Sequence, residues 1–295
     1  MKRLLFLIVL FAGIASAQGT SKGGSILKIP ATPFEASTGQ SFVADEHQVE
    51  SVLLNPANIV ALSSYTIDFS HNSWIEDVGS EYLSIAGPLS IGSISIAIKS
   101  SSVDGIEIRT IPGPSEGTFS YKNACFQVTY GLSVSDNFSL GISPKYLYEK
   151  IYIDETNGFG LDAGILYHSH IDGLTLGASI TNIGKMSAYY SEQIDLPSAL
   201  HIGGTYSMPM NNWDIRLACA YSPELGLAIH HFNFGAECAF NRIIALRAGY
   251  QTGFENHGFC FGMGITYKPL VISYAFVPFS FQMGNAQTIS AAIQF

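Results

Sequence analysis

Few side chains in this sequence could do chemistry, and most are poorly spaced for it. Eight histidines and four cysteines occur in 295 residues. The pairs His168-x-His170 and His230-His231 lack a third ligand at a spacing known for metal sites. In an extended strand His230 and His231 point to opposite faces and cannot easily share an ion. The serines sit in no G-x-S-x-G turn, and no nucleophile with its base and orienting acid can be named. Gly158/Gly160 and Gly262/Gly264 lead into no helix, so they are not phosphate loops. The chain is expected not to be an enzyme, with no catalytic residue, no metal ligand set and no cofactor. What remains is ionic. Asp68, Lys99, Lys145, Glu149 and Asp162 lie in the first half, and His201, Asp214, Arg216, His231, Glu237 and Arg247 in the second. These groups alternate with apolar residues. Arg216, Glu237 and Arg247 fall on three consecutive such segments and could form an Arg–Glu–Arg network. Such a network could be a polar track, a dock for another segment, or ion pairs bracing one wall against the next.

Strands must position these groups. At the chain end Ile289, Ala291, Ile293 and Phe295 alternate with Thr288, Ser290, Ala292 and Gln294, a period of two with one apolar face. The chain is 47% hydrophobic with a mean hydropathy of +0.25, yet only 13% charged. That is roughly half the charge of a soluble domain. After residue 17 no run of about 18 apolar residues appears, so membrane helices are not expected. Apolar composition without long apolar runs marks a barrel in which lipid-facing and lumen-facing residues alternate. The final aromatic fits a last strand that pairs with the first and ends at the membrane interface. The expected fold is all-β, a transmembrane antiparallel up-and-down β-barrel of about 14 strands with an N-terminal lumenal hatch. The strands are expected at 65–71, 81–88, 92–102, 119–134, 138–153, 158–168, 174–183, 197–206, 213–222, 228–240, 243–252, 258–267, 270–278 and 285–295.

Parity assigns the faces. Ile94, Ile96 and Ile98 point to lipid while Ser95, Ala97 and Lys99 point inward. Phe159, Leu161, Ile165 and Tyr167 point outward, as do Phe259, Phe261, Met263, Ile265 and Tyr267. Cys219 and Cys238 fall on the lipid side and Cys125 and Cys260 inside; they could be disulfide partners or four small apolar fillers. Aromatics should form two belts. Tyr65, Phe138, Tyr167, Tyr206, Trp213, Tyr267 and Phe295 mark the periplasmic rim. Phe69, Tyr148, Phe159, Tyr221, Tyr250 and Phe276 mark the outer rim. The longest outer connections are expected at 71–80, 103–118 and 184–196. The inner connections at 135–137, 241–242 and 268–269 are tight turns, as in outer-membrane barrels.

Residues 1–17 read as a signal peptide: Lys2 and Arg3, an apolar stretch, then Ala15-Ser16-Ala17. Its removal takes away two positive charges and moves the formal net charge from −9 to −11. That acidity argues against nucleic acid as a partner. Residues 18–64 are not barrel-like. They contain Ile26-Leu27-Lys28-Ile29-Pro30, Ala36 to Ala44, the acidic Asp45-Glu46, and Leu54-Asn55-Pro56-Ala57. Together with the stretch Phe69 to Val78 and Ser135-Asp136-Asn137-Phe138, this resembles the PorV/PorQ family of FadL-like outer-membrane barrels. The resemblance covers most of residues 25–185. It implies that residues 18–64 fold into the lumen as a hatch, with Gly39, Asn55, Pro56 and Ala57 as its motif, followed by a barrel over 65–295. The family often has Gly-Gly where this chain reads Thr38-Gly39-Gln40.

The resemblance also implies location and function. The chain is expected in the outer membrane of a Gram-negative-type bacterium, as a monomer among lipid and lipopolysaccharide. It implies a type IX secretion role, with secreted cargo proteins or secretion-machinery subunits as partners. The alternative is FadL-like uptake of a hydrophobic ligand, to which Ile26, Leu27, Phe34 and Phe42 could contribute a pocket. A second alternative is a structural barrel. The outer connections are acidic, with Glu76, Asp77, Glu81, Asp104, Glu107, Glu116, Asp154, Glu155, Glu192, Asp195, Glu224 and Glu255. They could bind cations or a basic partner, or be solvated loop tips.

Overall fold

The computed structural model describes residues 23–45, 48–188 and 193–295. The expected signal peptide lies outside the described residues, as do Glu46 and Glu192. The alternating segments form β1 (Thr66–Ser73), β2 (Gly79–Pro88), β3 (Ser93–Ile108), β4 (Gly117–Ser135), β5 (Phe138–Ile151), β6 (Asp154–His168) and β7 (Leu174–Met186). There follow β8 (Ile194–Asp195), β9 (Ala199–Met210), β10 (Trp213–Pro223), β11 (His230–Phe240), β12 (Ile244–Gln251), β13 (Phe259–Tyr267), β14 (Leu270–Pro278) and β15 (Asn285–Gln294). Each pairs antiparallel with its neighbour, β7 passing to β9 and β15 returning to β1. Fourteen strands thus close a barrel, and the two-residue β8 lies on the edge of β7. Closure leaves no open edge whose N–H and C=O groups would go unpaired in lipid.

The faces follow parity. Ile96, Ile98, Leu161, Ile165, Phe261 and Ile265 are exposed on the outer surface, while Ser95, Ala97, Asp162 and Gly164 are buried. Tyr65 and Phe295 stack at one rim, where the Phe138–Tyr167 register pair and the Trp213–Phe240 contact also lie. This is the terminal rim. At the far rim Tyr146 contacts Phe159, Tyr221 contacts Phe232 and Tyr250 contacts Phe259. All four cysteines are free, Cys125 and Cys260 buried and Cys219 exposed, so the disulfide alternative falls away.

Two of the long far-rim connections are shorter than expected. β1 runs on to Ser73 and β2 starts at Gly79, which leaves a five-residue turn inside 71–80. Half of 103–118 is strand, since β3 continues to Ile108 and β4 starts at Gly117. These extensions stand beyond the apolar band. Both faces there are wet, so the alternation that marks the rest of each strand disappears.

Residues 24–45 and 48–62 pack against the inner wall of the barrel. They form a 3-10 turn (Ser25–Lys28), the helix α1 (Pro33–Ser37) and two further 3-10 turns (Val49–Leu53, Pro56–Ala61). Phe34, Phe42, Val43, Ala57 and Ile59 are fully buried against the inner wall. Two groups of glycine make room for them. Gly131, Gly141 and Gly164 face each other across β4, β5 and β6. A Cβ on Gly131 would meet Ile59, on Gly141 the Pro56 backbone at 2.2 Å, and on Gly164 the Asn55 amide. On β11 and β12 the register partners Gly235 and Gly249 make room for Thr38 and Ser41, and on β13 Gly262, opposite Arg247, makes room for Ser37. Gly141→Ala should therefore displace the Pro56 turn at a cost of about 1–3 kcal/mol. Gly113→Ala, with nothing within 4 Å, should cost far less. Thermal unfolding of the two variants in detergent checks this.

Candidate functional site

The three inward charges on β10, β11 and β12 do come together. Arg216 donates from Nε and Nη2 to Glu237 Oε1 at 3.1 and 2.6 Å, and Arg247 donates from Nε to Glu237 Oε2 at 2.7 Å. The register Arg216↔Glu237↔Arg247 puts them in one row across the wall. The N-terminal segment completes the row. Arg216 Nη1 donates to Asp45 Oδ1 at 2.5 Å. The Arg216 guanidinium lies 5.2 Å from the Phe42 ring centre, and that of Arg247 lies 5.1 Å from Phe34. A cation over an aromatic face is attracted to the ring appreciably in a dry site. The network thus contacts the segment as well as joining β10, β11 and β12.

The N-P-A run is the second anchor. The Asn55 side chain accepts from Ala57 N at 3.0 Å and caps the turn that Pro56 opens. Its amide nitrogen donates to Val43 O at 2.8 Å and to Ile165 O of β6 at 2.9 Å. Gly39 and Gln40 both take positive φ, 60° and 53°. Gln40 therefore stands in a backbone shape that favours glycine, and the departure from Gly-Gly leaves the turn intact.

The remaining expected charges are distributed along the wall. Lys145 reaches Asp162 Oδ2 at 2.7 Å and donates to Asn182 Oδ1 at 2.7 Å. Asp162 accepts from Asn182 N at 2.7 Å, and Asn182 has φ 59°. This patch spans an irregular part of the barrel. The β6–β7 register shifts between Leu161 and Ala163, and the β4–β5 ladder skips Val128 and Thr129 opposite Ser143 and Pro144. Proline has no N–H to give that ladder. Lys99 donates to the carbonyls of Ile26 and Ile29. Glu149 is half-buried nearer the far rim, in register with Asn123 and Thr156.

Between the segment and the far rim lies a cavity of about 340 Å3. Leu27, Ile29, Pro30, Leu53 and Leu54 floor it. Of the four apolar residues expected in such a pocket, Leu27 lines it, whereas Ile26, Phe34 and Phe42 are buried beneath. A chain of rings borders its mouth. Trp74 meets Phe279 at 5.3 Å, Phe279 meets His257 at 4.8 Å, His257 meets Phe254 at 4.3 Å, and Phe254 stacks on His231 at 4.1 Å. Glu224, expected at a solvated loop tip, turns inward instead and holds Lys28 of the segment at 3.0 Å. The His231 ring 4.0 Å away and the Lys28 ammonium keep the Glu224 carboxyl well below its usual range, at about 2. On the wall side Thr181, His201, Ser222 and Asn233, from four adjacent strands, form one hydrogen-bonded row. Sequence parity found the charges but not the ring chain, because its members come from three separate connections and a strand end.

No known family model matches this sequence, and no curated protein matches it. Among solved structures the chain is similar to the Pseudomonas putida toluene transporter TodX, with a TM-score of 0.59 and 11% identity over 93% of this chain and 97% of that one. It is also similar to the CymD monoaromatic hydrocarbon channel, with a TM-score of 0.58 and 10% identity over 90% and 96% of the two chains. A Pseudomonas aeruginosa FadL homologue gives a TM-score of 0.56 and 9% identity over 90% and 98%. At such identities the likeness is one of fold, the closed fourteen-strand barrel.

Proposed function

We propose that this chain is an outer-membrane channel for the uptake of hydrophobic small molecules, with residues 24–62 as its hatch. The observation that carries this reading is the ring-bordered cavity at the far rim, floored by a segment that is docked at defined points. In this reading the far rim faces outside and the terminal rim faces the periplasm, with outer-membrane lipid and lipopolysaccharide around the apolar band. The irregular wall at Pro144, Leu161 and Asn182 supports an exit route sideways from the cavity into lipid. The folds of the toluene and monoaromatic hydrocarbon channels are consistent with this use. The type IX secretion role implied by the PorV/PorQ resemblance draws no support from these comparisons.

A transport assay tests the reading. Proteoliposomes or cells limited by outer-membrane permeability should take up labelled hydrophobic solutes faster with the wild-type protein than without it. Phe254→Ala with Phe279→Ala should lower that gain several-fold by removing two rings of the mouth. Equal uptake with and without the wild-type protein would refute the channel.

A further inference from the structure

We infer that the cavity selects a compact, neutral aromatic compound bearing a ring oxygen substituent, over both the bare hydrocarbon and the long-chain lipid. The inference rests on the uptake reading and deepens it to a substrate class.

Three observations point there. The first is the ring chain Trp74–Phe279–His257–Phe254, which offers aromatic faces and edges at the mouth. Ring pairs gain beyond plain area burial, which an alkyl chain does not match.

The second is the buried polar row on the opposite side, which has one hydrogen to spare. Asn233 Nδ2 faces the Gln40 carbonyl at 3.4 Å and Ser222 Oγ at 3.3 Å. A carbonyl only accepts, so the amide nitrogen is fixed as donor. Ser222 Oγ accepts from it and lies 2.9 Å from His201 Nδ1, while His201 Nε2 lies 3.1 Å from Thr181 Oγ1. A neutral imidazole donates at one nitrogen and accepts at the other, so His201 donates to one of these hydroxyls and accepts from the other. The hydroxyl it donates to, Thr181 or Ser222, keeps its own hydrogen for an acceptor outside the row. Both hydroxyls line the cavity. A hydrocarbon offers that hydrogen nothing, while a ring oxygen accepts it.

The third is charge. The ammonium groups lining the cavity are each engaged: Lys28 with Glu224, Lys145 with Asp162, and Lys99 with two carbonyls. Among the described residues, no ammonium lining the cavity is without a partner. A cavity of about 340 Å3 also sits near the small end of ligand pockets.

The test uses the fact that the chain has two tryptophans. Trp213 lies at the terminal rim, away from the cavity, so Trp213→Phe leaves Trp74 as a reporter at the mouth. Detergent-solubilised protein is titrated with p-cresol, toluene and palmitate, reading saturable quenching of Trp74 excited at 300 nm. The expected result is p-cresol binding about tenfold tighter than toluene, with Thr181→Val and Ser222→Ala together bringing the ratio close to one by weakening p-cresol. Toluene binding as tightly as p-cresol in the parent protein overturns the inference and leaves the uptake reading standing. Saturable palmitate binding without p-cresol binding overturns it in favour of a lipid. Saturation by none of the three overturns both the inference and the uptake reading.

Discussion

Arg216→Met is expected to release the N-terminal segment from a barrel that stays folded. Arg216 is the group that touches both sides, with Glu237 on the wall and Asp45 on the segment. All three side chains are almost fully buried. Removing the guanidinium takes away the cation that the Asp45 and Glu237 carboxylates share in a dry place. Breaking a buried ionic cluster by deleting one partner costs about 3–5 kcal/mol. The cost falls on the segment, because each barrel strand keeps its full ladder on both sides. Limited proteolysis with mass spectrometry should show cleavage within residues 24–62 in the variant at protease levels the wild type resists, with β1 to β15 intact. Asp45→Asn should lie between the two, since it removes a charge but keeps an oxygen for Arg216. A variant as protected as the wild type would show that this cluster does not hold the segment.

The second large effect is expected at Asn55, where the direction of the change is diagnostic. Aspartate and asparagine are about equal as helix N-caps, so capping alone predicts that Asn55→Asp is harmless. The geometry predicts the reverse. The Asn55 nitrogen donates to two carbonyls, Val43 O and Ile165 O. Aspartate would place a second acceptor, with charge, against both. Asn55→Ala should cost about 2–3 kcal/mol through the lost cap and the unmet carbonyls. Asn55→Asp should be at least as damaging. Hydrogen exchange of the amides of residues 55–62 would measure both, and an Asn55→Asp protein with wild-type protection would exclude the two carbonyl contacts.

Much of the barrel could be read from the sequence because its physics is local. All fourteen closing strands appear near their expected places, since lipid on one side and lumen on the other impose a period of two on consecutive residues. The same rule assigned Lys145, Asp162, Arg216, Glu237 and Arg247 to the inner face. It could say nothing about partners far along the chain. Asp45 and Arg216 are 171 residues apart, and nothing in the spacing of either points to the other. Glu224 looked like one more acid on a loop, because the Lys28 that draws it inward belongs to the segment. Trp74, Phe254 and Phe279 lie in three connections, whose meeting depends on barrel closure and not on any local pattern. The 103–118 region carries no strand signal for the opposite reason. Its strands are real but rise beyond the apolar band, where the period of two carries no hydrophobic signal.

The path of residues 24–62 has a consequence for biogenesis. The segment joins β1 at the terminal rim, yet its earlier part reaches the far-rim side, where Ser25 meets Tyr121 and Lys28 meets Glu224. The two glycine groups hold it so closely that a single added methyl group on Gly141 would collide with its backbone. A finished cylinder could accept this segment only if the free end were threaded lengthwise past Arg216 and Lys145. A sheet still open between β1 and β15 can curl around it without any threading. The β1–β15 seam is then the last to zip, and the glycine groups are a mould that works while the sheet is still curling. An insertion machine that stalls this protein before closure should hold an intermediate whose segment is already seated.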